Sequence, residues 1–199
     1  MPKKVIVLLA EGFEEVEAVT PIDYLRRAGI EVTAAAVGSA IEGNDAAVKG
    51  SHGIQITADT DLRALAAGNK LISAEWDGVI VPGGLPGADN LAASKEVAVF
   101  LKAMAASGKL VCAICAAPAR VLSPLGLLAG KMYTCFPGEE AKVPGFAADA
   151  RWKEDRVVID GNTITSRGAG TAGEFACAIV SKLLNETEGK KLAERVLLG

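Results

Sequence analysis

Three short apolar runs without polar alternation mark the first two thirds of the chain. They are VIVLLA at 5–10, GVIVP at 78–82 and KLVCAIC at 109–115. Strands buried on both faces have this composition, and such strands are typical of parallel sheets. We therefore predict core strands at these three places, and a further strand at 30–37.

Helical patterns lie between these strands. One covers residues 14–28, and its apolar stripe consists of Val16, Val19, Ile22 and Leu25. Gly29 follows as its predicted C-terminal cap, and Pro21 predicts a kink or a broken first turn. A second pattern covers 94–107, with the stripe Val97, Phe100, Leu101 and Met104.

The C-terminal third continues the alternation. Short strands at 157–159 and 163–166 are joined by DGN, which is a hairpin signal. A helix is predicted over 170–184, where Thr171 and Glu174 have capping-box spacing, and another over 187–198.

Alternating strands and helices predict one α/β domain over residues 1–199, a doubly wound sandwich around a mainly parallel sheet. The irregular segments 40–53 and 138–156 are expected to leave the sheet as a small hairpin and a surface loop.

Composition narrows the classes of function. The 21 basic and 24 acidic residues are interleaved, which argues against a nucleic-acid surface or a polybasic membrane anchor. The apolar run at 5–10 is shorter than a signal sequence or a membrane span. We expect a cytoplasmic protein whose cysteines are reduced, namely Cys112, Cys115, Cys135 and Cys177.

The segment AICAA at 113–117 has the pattern of a nucleophile elbow. Small residues, Ala113 and Ala117, flank Cys115 at the end of a strand. A helix N-terminus after the elbow predicts a lowered pKa for the Cys115 thiol, and the amide of Ala116 would face an oxyanion. The alternative is a small cysteine that packs between helix and sheet.

Cys112 lies within the strand, so packing is favoured over a disulfide with Cys115. Structural zinc needs four ligands, and the chain offers no motif spacing that would supply them. We predict no metal and no cofactor.

Two other loops follow predicted strands and can reach the same cleft. In GFEEVE, helix-dipole stabilisation explains Glu14 and Glu15, whereas Glu17, one turn deeper, can face the cleft and share a proton with a thiolate. In PGGLPG at 82–87, glycine amides can approach a ligand closely, although an ordinary tight turn would also explain them.

Together these stretches resemble the ThiJ/PfpI superfamily, and specifically its DJ-one branch. The resemblance rests on segments 8–32, 77–91, 108–122 and 165–180, which occur in the family's order. It implies a flavodoxin-like sandwich, usually a homodimer.

The resemblance also implies residue roles. Cys115 matches the elbow nucleophile and oxidisable thiol, and Glu17 matches the protonated glutamate beside it. Gly84 and Ala116 match the residues whose amides face the oxyanion, and Arg27 matches an arginine near the dimer interface and the site.

Two departures from the family concern histidine. Protease-like members have a histidine directly after the cysteine, where this chain has Ala116, and the DJ-one branch often has one where this chain has Cys135. The only histidine, His52, stands where relatives have an arginine. Cys135, His52 and Arg27 are therefore candidate neighbours of the site.

Three functions are compatible with the resemblance. The first is a glyoxalase or deglycase that acts on methylglyoxal or similar small reactive carbonyls. The second is a redox-sensing stress protein or chaperone that uses the same cysteine. A cysteine protease or amidase is the third, and the missing histidine counts against it.

Overall fold

The computed structural model describes residues 2–38, 46–68, 73–145 and 151–198. The strands in chain order are β1 (Lys4–Ala10), β2 (Glu31–Val37), β3 (Ala47–Lys49), β4 (Gln55–Thr57), β5 (Thr60–Asp61), β6 (Gly78–Val81), β7 (Leu110–Ile114), β8 (Val157–Asp160) and β9 (Thr163–Ser166). The helices are α1 (Glu15–Arg27), α2 (Leu62–Ala67), α3 (Gly87–Ala93), α4 (Lys95–Ala106), α5 (Ala172–Leu183) and α6 (Glu186–Arg195).

Seven strands form the central sheet in the order β5-β2-β1-β6-β7-β9-β8. Neighbouring strands are parallel except β8 and β9, which form the predicted hairpin. The predicted doubly wound α/β fold is therefore confirmed, and β1, β6 and β7 lie side by side. Strands β3 and β4 form a separate antiparallel hairpin.

The core has two layers, one on each face of the sheet. Along β1, Ile6 and Leu8 belong to one layer and Val7 and Leu9 to the other, and all four are fully buried. Helices α2, α3 and α4 cover the first face, and α1, α5 and α6 cover the second. The predicted stripe of α4 is confirmed, since its members are buried: Val97, Phe100, Leu101 and Met104.

The predicted apolar stripe of α1 is partly wrong. Val16 and Val19 are 47% and 45% exposed, whereas the buried positions include Glu15 and Glu17. The two carboxylates face inward because backbone N–H groups donate hydrogen bonds to them, from the β3–β4 hairpin to Glu15 and from Gly83 to Glu17. This rotates the valines outward, and the hydrophobic pattern alone does not reveal it.

Two local predictions about helix ends also need correction. Pro21 lies beyond the first turn of α1, which is not broken. Thr171 precedes α5 but does not form a capping box, because its Oγ1 accepts a hydrogen bond from the backbone N–H of Gly168 at 3.1 Å. Glu174 binds Arg156 instead, at 2.7 Å.

The irregular segments only partly follow the prediction. The expected small hairpin is present as β3 and β4 and extends to Thr57, while residues 40–45 lie outside the described part. In the second segment a short 3-10 turn covers Glu139–Lys142, and residues 146–150 lie outside the described part. Among the helices that are described, none has both the length and the apolar character to cross a membrane.

Candidate active site

Cys115 occupies a sharp turn directly after β7. Its φ is +64°, a left-handed conformation that side chains other than glycine rarely adopt. The turn is held from two sides, since the Cys115 N–H donates to the Ser166 carbonyl at 2.9 Å and the Phe136 N–H donates to the Cys115 carbonyl at 2.8 Å. Strained conformations of this kind cluster at functional sites. The predicted nucleophile elbow is therefore confirmed as a backbone geometry.

The loops after β1, β6 and β7 meet at this elbow. The Glu14 N–H donates to the Gly83 carbonyl at 3.0 Å, and the Gly87 N–H donates to the Gly12 carbonyl at 3.1 Å. Because the three strands are adjacent and parallel, their carboxyl ends lie at one edge of the sheet. The predicted convergence of the three loops is confirmed.

Only glycine fits at position 83. A Cβ there would lie 2.6 Å from the Cys115 Cβ and 2.7 Å from Oε2 of Glu17. Gly84 has a φ of +85°, a conformation that favours glycine, and its N–H donates a hydrogen bond to the Cys115 sulfur. The two glycines of PGG therefore allow the backbone at 83 and 84 to lie against Cys115 without a side chain between them.

Glu17 is the acid beside the thiol. It is 1% exposed, its Oε2 accepts a hydrogen bond from the Gly83 N–H at 2.9 Å, and its carboxyl group is hydrogen-bonded to Cys115. Burial raises the pKa of Glu17 to about 7, against the opposing effect of these two hydrogen bonds. The Glu17 carboxyl group can therefore gain and lose a proton near neutral pH.

The sequence predicted a lowered pKa for Cys115, and this prediction is wrong. Burial raises the pKa of the thiol, and the charge of Glu17 and the hydrogen bond to it raise it further. The N–H groups of Ala116 and Gly84 act in the opposite direction. Protonation of Glu17 removes its negative charge and allows its O–H to donate to the sulfur. A thiolate would then have three donors, namely Glu17 and the N–H groups of Ala116 and Gly84. The two acids therefore titrate as a coupled pair.

Cys112 and Cys135 lie in the two core layers of the sheet, Cys112 in the layer that Cys115 packs against and Cys135 in the other. Cys112 is fully buried in the core, as predicted, and burial raises its pKa. The Sγ of Cys135 lies 3.9 Å from Oε2 of Glu140, in the core layer on the opposite face of the sheet from the layer that Cys115 contacts. Burial raises the pKa of Cys135 to about 12. All the cysteines are free.

His52 binds the start of α1 rather than the elbow. Its Nδ1 lies 3.1 Å from Oε2 of Glu15 and 3.2 Å from Oε2 of Glu14, and its side chain is 71% exposed. The hydrogen bond to Glu15 raises the pKa of His52. Because this is the only histidine in the chain, Cys115 has no histidine partner to act as a general base.

Glu15 has a role that helix-dipole reasoning did not find. It is 4% exposed and accepts hydrogen bonds from the N–H groups of His52 and Ile54 at 2.8 and 3.2 Å. The Glu15 carboxylate thus connects the β3–β4 hairpin to α1. No local sequence pattern predicts this contact. Glu14, Glu15 and His52 place ligand-type atoms within 4.8 Å of one another, but the oxygens of Glu15 are already engaged by the hairpin.

Arg27 lies at the far end of α1. It forms an ion pair with Asp23 at 2.7 Å, and this hydrogen bond raises its pKa. Ten residues of helix separate it from Glu17, which is about 15 Å along the axis. Within one chain the structure does not bring Arg27 to the elbow.

The sequence reasoning missed Phe136 and Gly168 at the site. The side chain of Phe136 is 49% exposed, and the N–H of the same residue binds the Cys115 carbonyl at the elbow. A Cβ on Gly168 would lie 3.4 Å from Cδ2 of Phe136 and 3.9 Å from Oε1 of Glu17. No strand or helix periodicity points to them, because both come from irregular segments.

The fold and the site together define a flavodoxin-like protein with a cysteine elbow and an adjoining buried carboxyl group. The chain belongs to the DJ-1/PfpI family, whose sequence profile matches residues 3–182. The resemblance noted in the sequence is thereby confirmed.

Three relatives illustrate the range of similarity. The crystal structure of Drosophila melanogaster DJ-1beta superposes with a TM-score of 0.86 at 38% identity, covering 100% of both chains. Protein DJ-1 homolog B of Arabidopsis thaliana is 40% identical over 98% of this chain, which spans only 41% of that longer protein. Glutathione-independent glyoxalase DJR-1.2 of Caenorhabditis elegans is 36% identical, over 89% of this chain and 87% of that protein.

Proposed function

We propose that the protein is a cofactor-independent glyoxalase or deglycase that acts on methylglyoxal and related small carbonyls. The observation that carries this proposal is the hydrogen-bonded pair of Cys115 and Glu17, whose carboxyl group has a pKa of about 7. A nucleophile and a proton carrier in contact are what isomerisation of an α-oxoaldehyde requires. The name of the nematode relative supports the same reaction.

The proposed reaction begins at the aldehyde carbon. The Cys115 thiolate attacks it, and the carbonyl oxygen becomes an oxyanion that accepts hydrogen bonds from the N–H groups of Gly84 and Ala116. Glu17, which is protonated while the sulfur is a thiolate, gives its proton to this oxyanion, so the product of the step is a hemithioacetal beside a Glu17 carboxylate. Those two amides already donate to the sulfur, so they adjoin the reacting carbon without rearrangement.

Glu17 then moves a proton between adjacent carbons. Its carboxylate removes the proton from the former aldehyde carbon to give an enediolate, and Glu17 returns that proton to the neighbouring carbon. The hydroxyl proton passes from the former aldehyde oxygen to the oxygen on the neighbouring carbon. This leaves a thioester of lactate on Cys115. Water cleaves the thioester, releases lactate and restores the thiol, so the sum of the reaction is methylglyoxal plus water giving lactic acid, with no external oxidant or reductant.

The direct test is formation of lactate from methylglyoxal by the purified protein without glutathione. Loss of methylglyoxal alone is not sufficient, because arginine and lysine side chains also consume it. Appearance of lactate in proportion to enzyme supports the proposal. Absence of lactate under conditions where the protein is folded would refute it.

We also propose a redox-sensing role for the same cysteine, as the second candidate function. The observation in its favour is the pair of backbone donors to the sulfur, namely the amides of Gly84 and Ala116, which Glu17 can join as a third donor when it is protonated. Such donors stabilise the oxygens of a sulfinate.

Mild peroxide treatment is therefore expected to add two oxygen atoms to Cys115, and intact mass spectrometry checks this. The same mass gain must be absent from Cys115→Ala and retained in Cys177→Ala, in which a half-buried cysteine of α5 is removed. Equal oxidation of the two variants would contradict the proposed sensor.

We propose further that two copies of the chain associate through the outer face of α1. Val16 and Val19 are exposed one turn apart, and the 59% exposed Ile54 belongs to the hairpin segment whose N–H groups bind Glu15, the residue before Val16. An apolar patch of this kind is typical of a contact surface between protein chains.

Val16→Asp is expected to convert a dimer into a monomer, because a buried charge in the contact would lose its water. Light scattering coupled to size-exclusion chromatography measures the change. The matched control is Val99→Asp, at a 70% exposed valine of α4, which should leave the dimer intact. A monomeric wild type, or equal dissociation of both variants, would contradict this interface.

A further inference from the structure

Two half-exposed apolar side chains adjoin the elbow. Leu85 is 48% exposed and follows Gly84, whose N–H donates to the Cys115 sulfur. Phe136 is 49% exposed, and its own N–H donates to the Cys115 carbonyl at 2.8 Å. Phe136 therefore carries one of the backbone hydrogen bonds to Cys115, and Leu85 directly follows the residue that carries another.

The ring of Phe136 also adjoins the proton carrier. Cδ2 of the ring and Oε1 of Glu17 both lie within 4 Å of the point where a Cβ on Gly168 would stand. Because Gly168 has no side chain, it places no side-chain atoms between the Phe136 ring and the Glu17 carboxyl group at this point. The ring and the carboxyl group therefore both adjoin Gly168.

Covering a half-exposed aromatic ring is more favourable with an apolar group than with a hydroxylated group, because a covered hydroxyl group loses its own hydrogen bonds to water. The substituent on the carbonyl of an α-oxoaldehyde is the part of the substrate that extends away from the aldehyde carbon held at Cys115. A methyl group offers little apolar area to the exposed surfaces of Phe136 and Leu85, whereas a phenyl or branched alkyl group offers much more.

We propose that Leu85 and Phe136 form an apolar rim that selects α-oxoaldehydes with an aromatic or larger alkyl substituent over those with a hydroxylated chain. This inference rests on the proposed glyoxalase function and specifies its substrate class. With phenylglyoxal the steps are the same: the thiolate adds to the aldehyde, Glu17 moves the proton to the neighbouring carbon, and water releases mandelate.

The test compares kcat/KM for phenylglyoxal and methylglyoxal, measured as mandelate and lactate formed. Phe136→Ala is expected to lower the value for phenylglyoxal by about tenfold more than the value for methylglyoxal, because the larger substituent has more apolar area to place against the ring. Phe136→Leu, which keeps an apolar side chain, should recover part of the loss. Val99→Ala is the matched control on α4 and should change neither value.

Two outcomes would overturn the inference. One is a fall of equal size for both substrates in Phe136→Ala, which would indicate a general effect on the elbow. The other is a wild-type protein that prefers a hydroxylated α-oxoaldehyde to phenylglyoxal. Failure of the proposed function itself is distinguishable, because the wild type would then form neither lactate nor mandelate.

If the wild type forms neither product, the rim is still tested by binding. Titration calorimetry of Cys115→Ala with mandelate and with lactate measures the preference without turnover. The rim predicts tighter binding of mandelate, and the preference should fall when Phe136→Ala is added. Equal affinities for the two acids would overturn the rim independently of catalysis.

Discussion

Lactate formation from methylglyoxal is expected to fall by about a thousandfold or more in Cys115→Ala, because removal of a covalent nucleophile removes the whole reaction path. Alanine keeps the Cβ and therefore meets the same backbone restriction at a φ of +64° as cysteine does. The fold should consequently survive. The measurement is kcat/KM by lactate assay, alongside the thermal midpoint of unfolding.

The control for this prediction is another cysteine that the structure places away from the elbow. Cys177 is half-buried on α5, and Cys177→Ala should keep its activity. Retention of lactate formation in Cys115→Ala would contradict the proposed mechanism outright, since no other described thiol adjoins Glu17.

Glu17→Gln is expected to lower kcat by about a hundredfold or more, within the usual range for the loss of a general acid–base group. The glutamine has nearly the same shape, and its amide oxygen can still accept the hydrogen bond from the Gly83 N–H. The variant loses only the ability to carry a proton. Activity within about threefold of the wild type would show that Glu17 does not carry the proton that isomerisation requires.

The same substitution should change how stability depends on pH. The pKa of Glu17 is raised from 4.5 to about 7 by burial, so the folded protein binds this proton more tightly than the unfolded chain. As pH rises through this interval, the unfolded chain loses its proton first, and the free energy of unfolding falls. The full shift corresponds to about 3 kcal/mol.

Urea unfolding at about pH 5 and about pH 8 measures this effect. The wild type is expected to lose stability between the two values, and Glu17→Gln should lose less because glutamine does not titrate. Both proteins share all other titratable groups, so their difference isolates Glu17. Parallel pH dependence of the two proteins would contradict the raised pKa.

Local sequence patterns were sufficient to predict most strands and helices of the fold. The runs at 5–10 and 109–115 became β1 and β7, because uninterrupted apolar sequence has few alternatives to a strand buried on both faces. The elbow at Cys115 was also local, since small residues on either side of a nucleophile are what the turn requires. These features depend on a few neighbouring residues only.

The inward face of α1 could not be derived in this way. The pattern favoured Val16 and Val19 as buried positions, but Glu15 and Glu17 occupy the interior because the β3–β4 hairpin and Gly83 offer them backbone donors. These partners lie more than thirty residues away in sequence. Burial of a carboxyl group is decided by such distant donors and not by helical periodicity.

The electrostatics of the elbow show the same difference between local and distant contributions. The sequence indicated a helix N-terminus and the amide of Ala116, which both favour a thiolate. It did not indicate how deeply the sulfur and Glu17 are buried together, and burial is the largest contribution to the pKa of each. Only the assembled loops determine that contribution.

The pH dependence of kcat/KM for lactate formation tests most directly whether Cys115 and Glu17 act as one acid–base pair. The active form holds one proton across the two groups, so the wild-type value is expected to rise with pH around a midpoint near 7, where Glu17 titrates. Glu17→Gln should lack this rise and gain activity only at higher pH, where the thiol ionises alone. The same midpoint and the same rates in both proteins would contradict the pair.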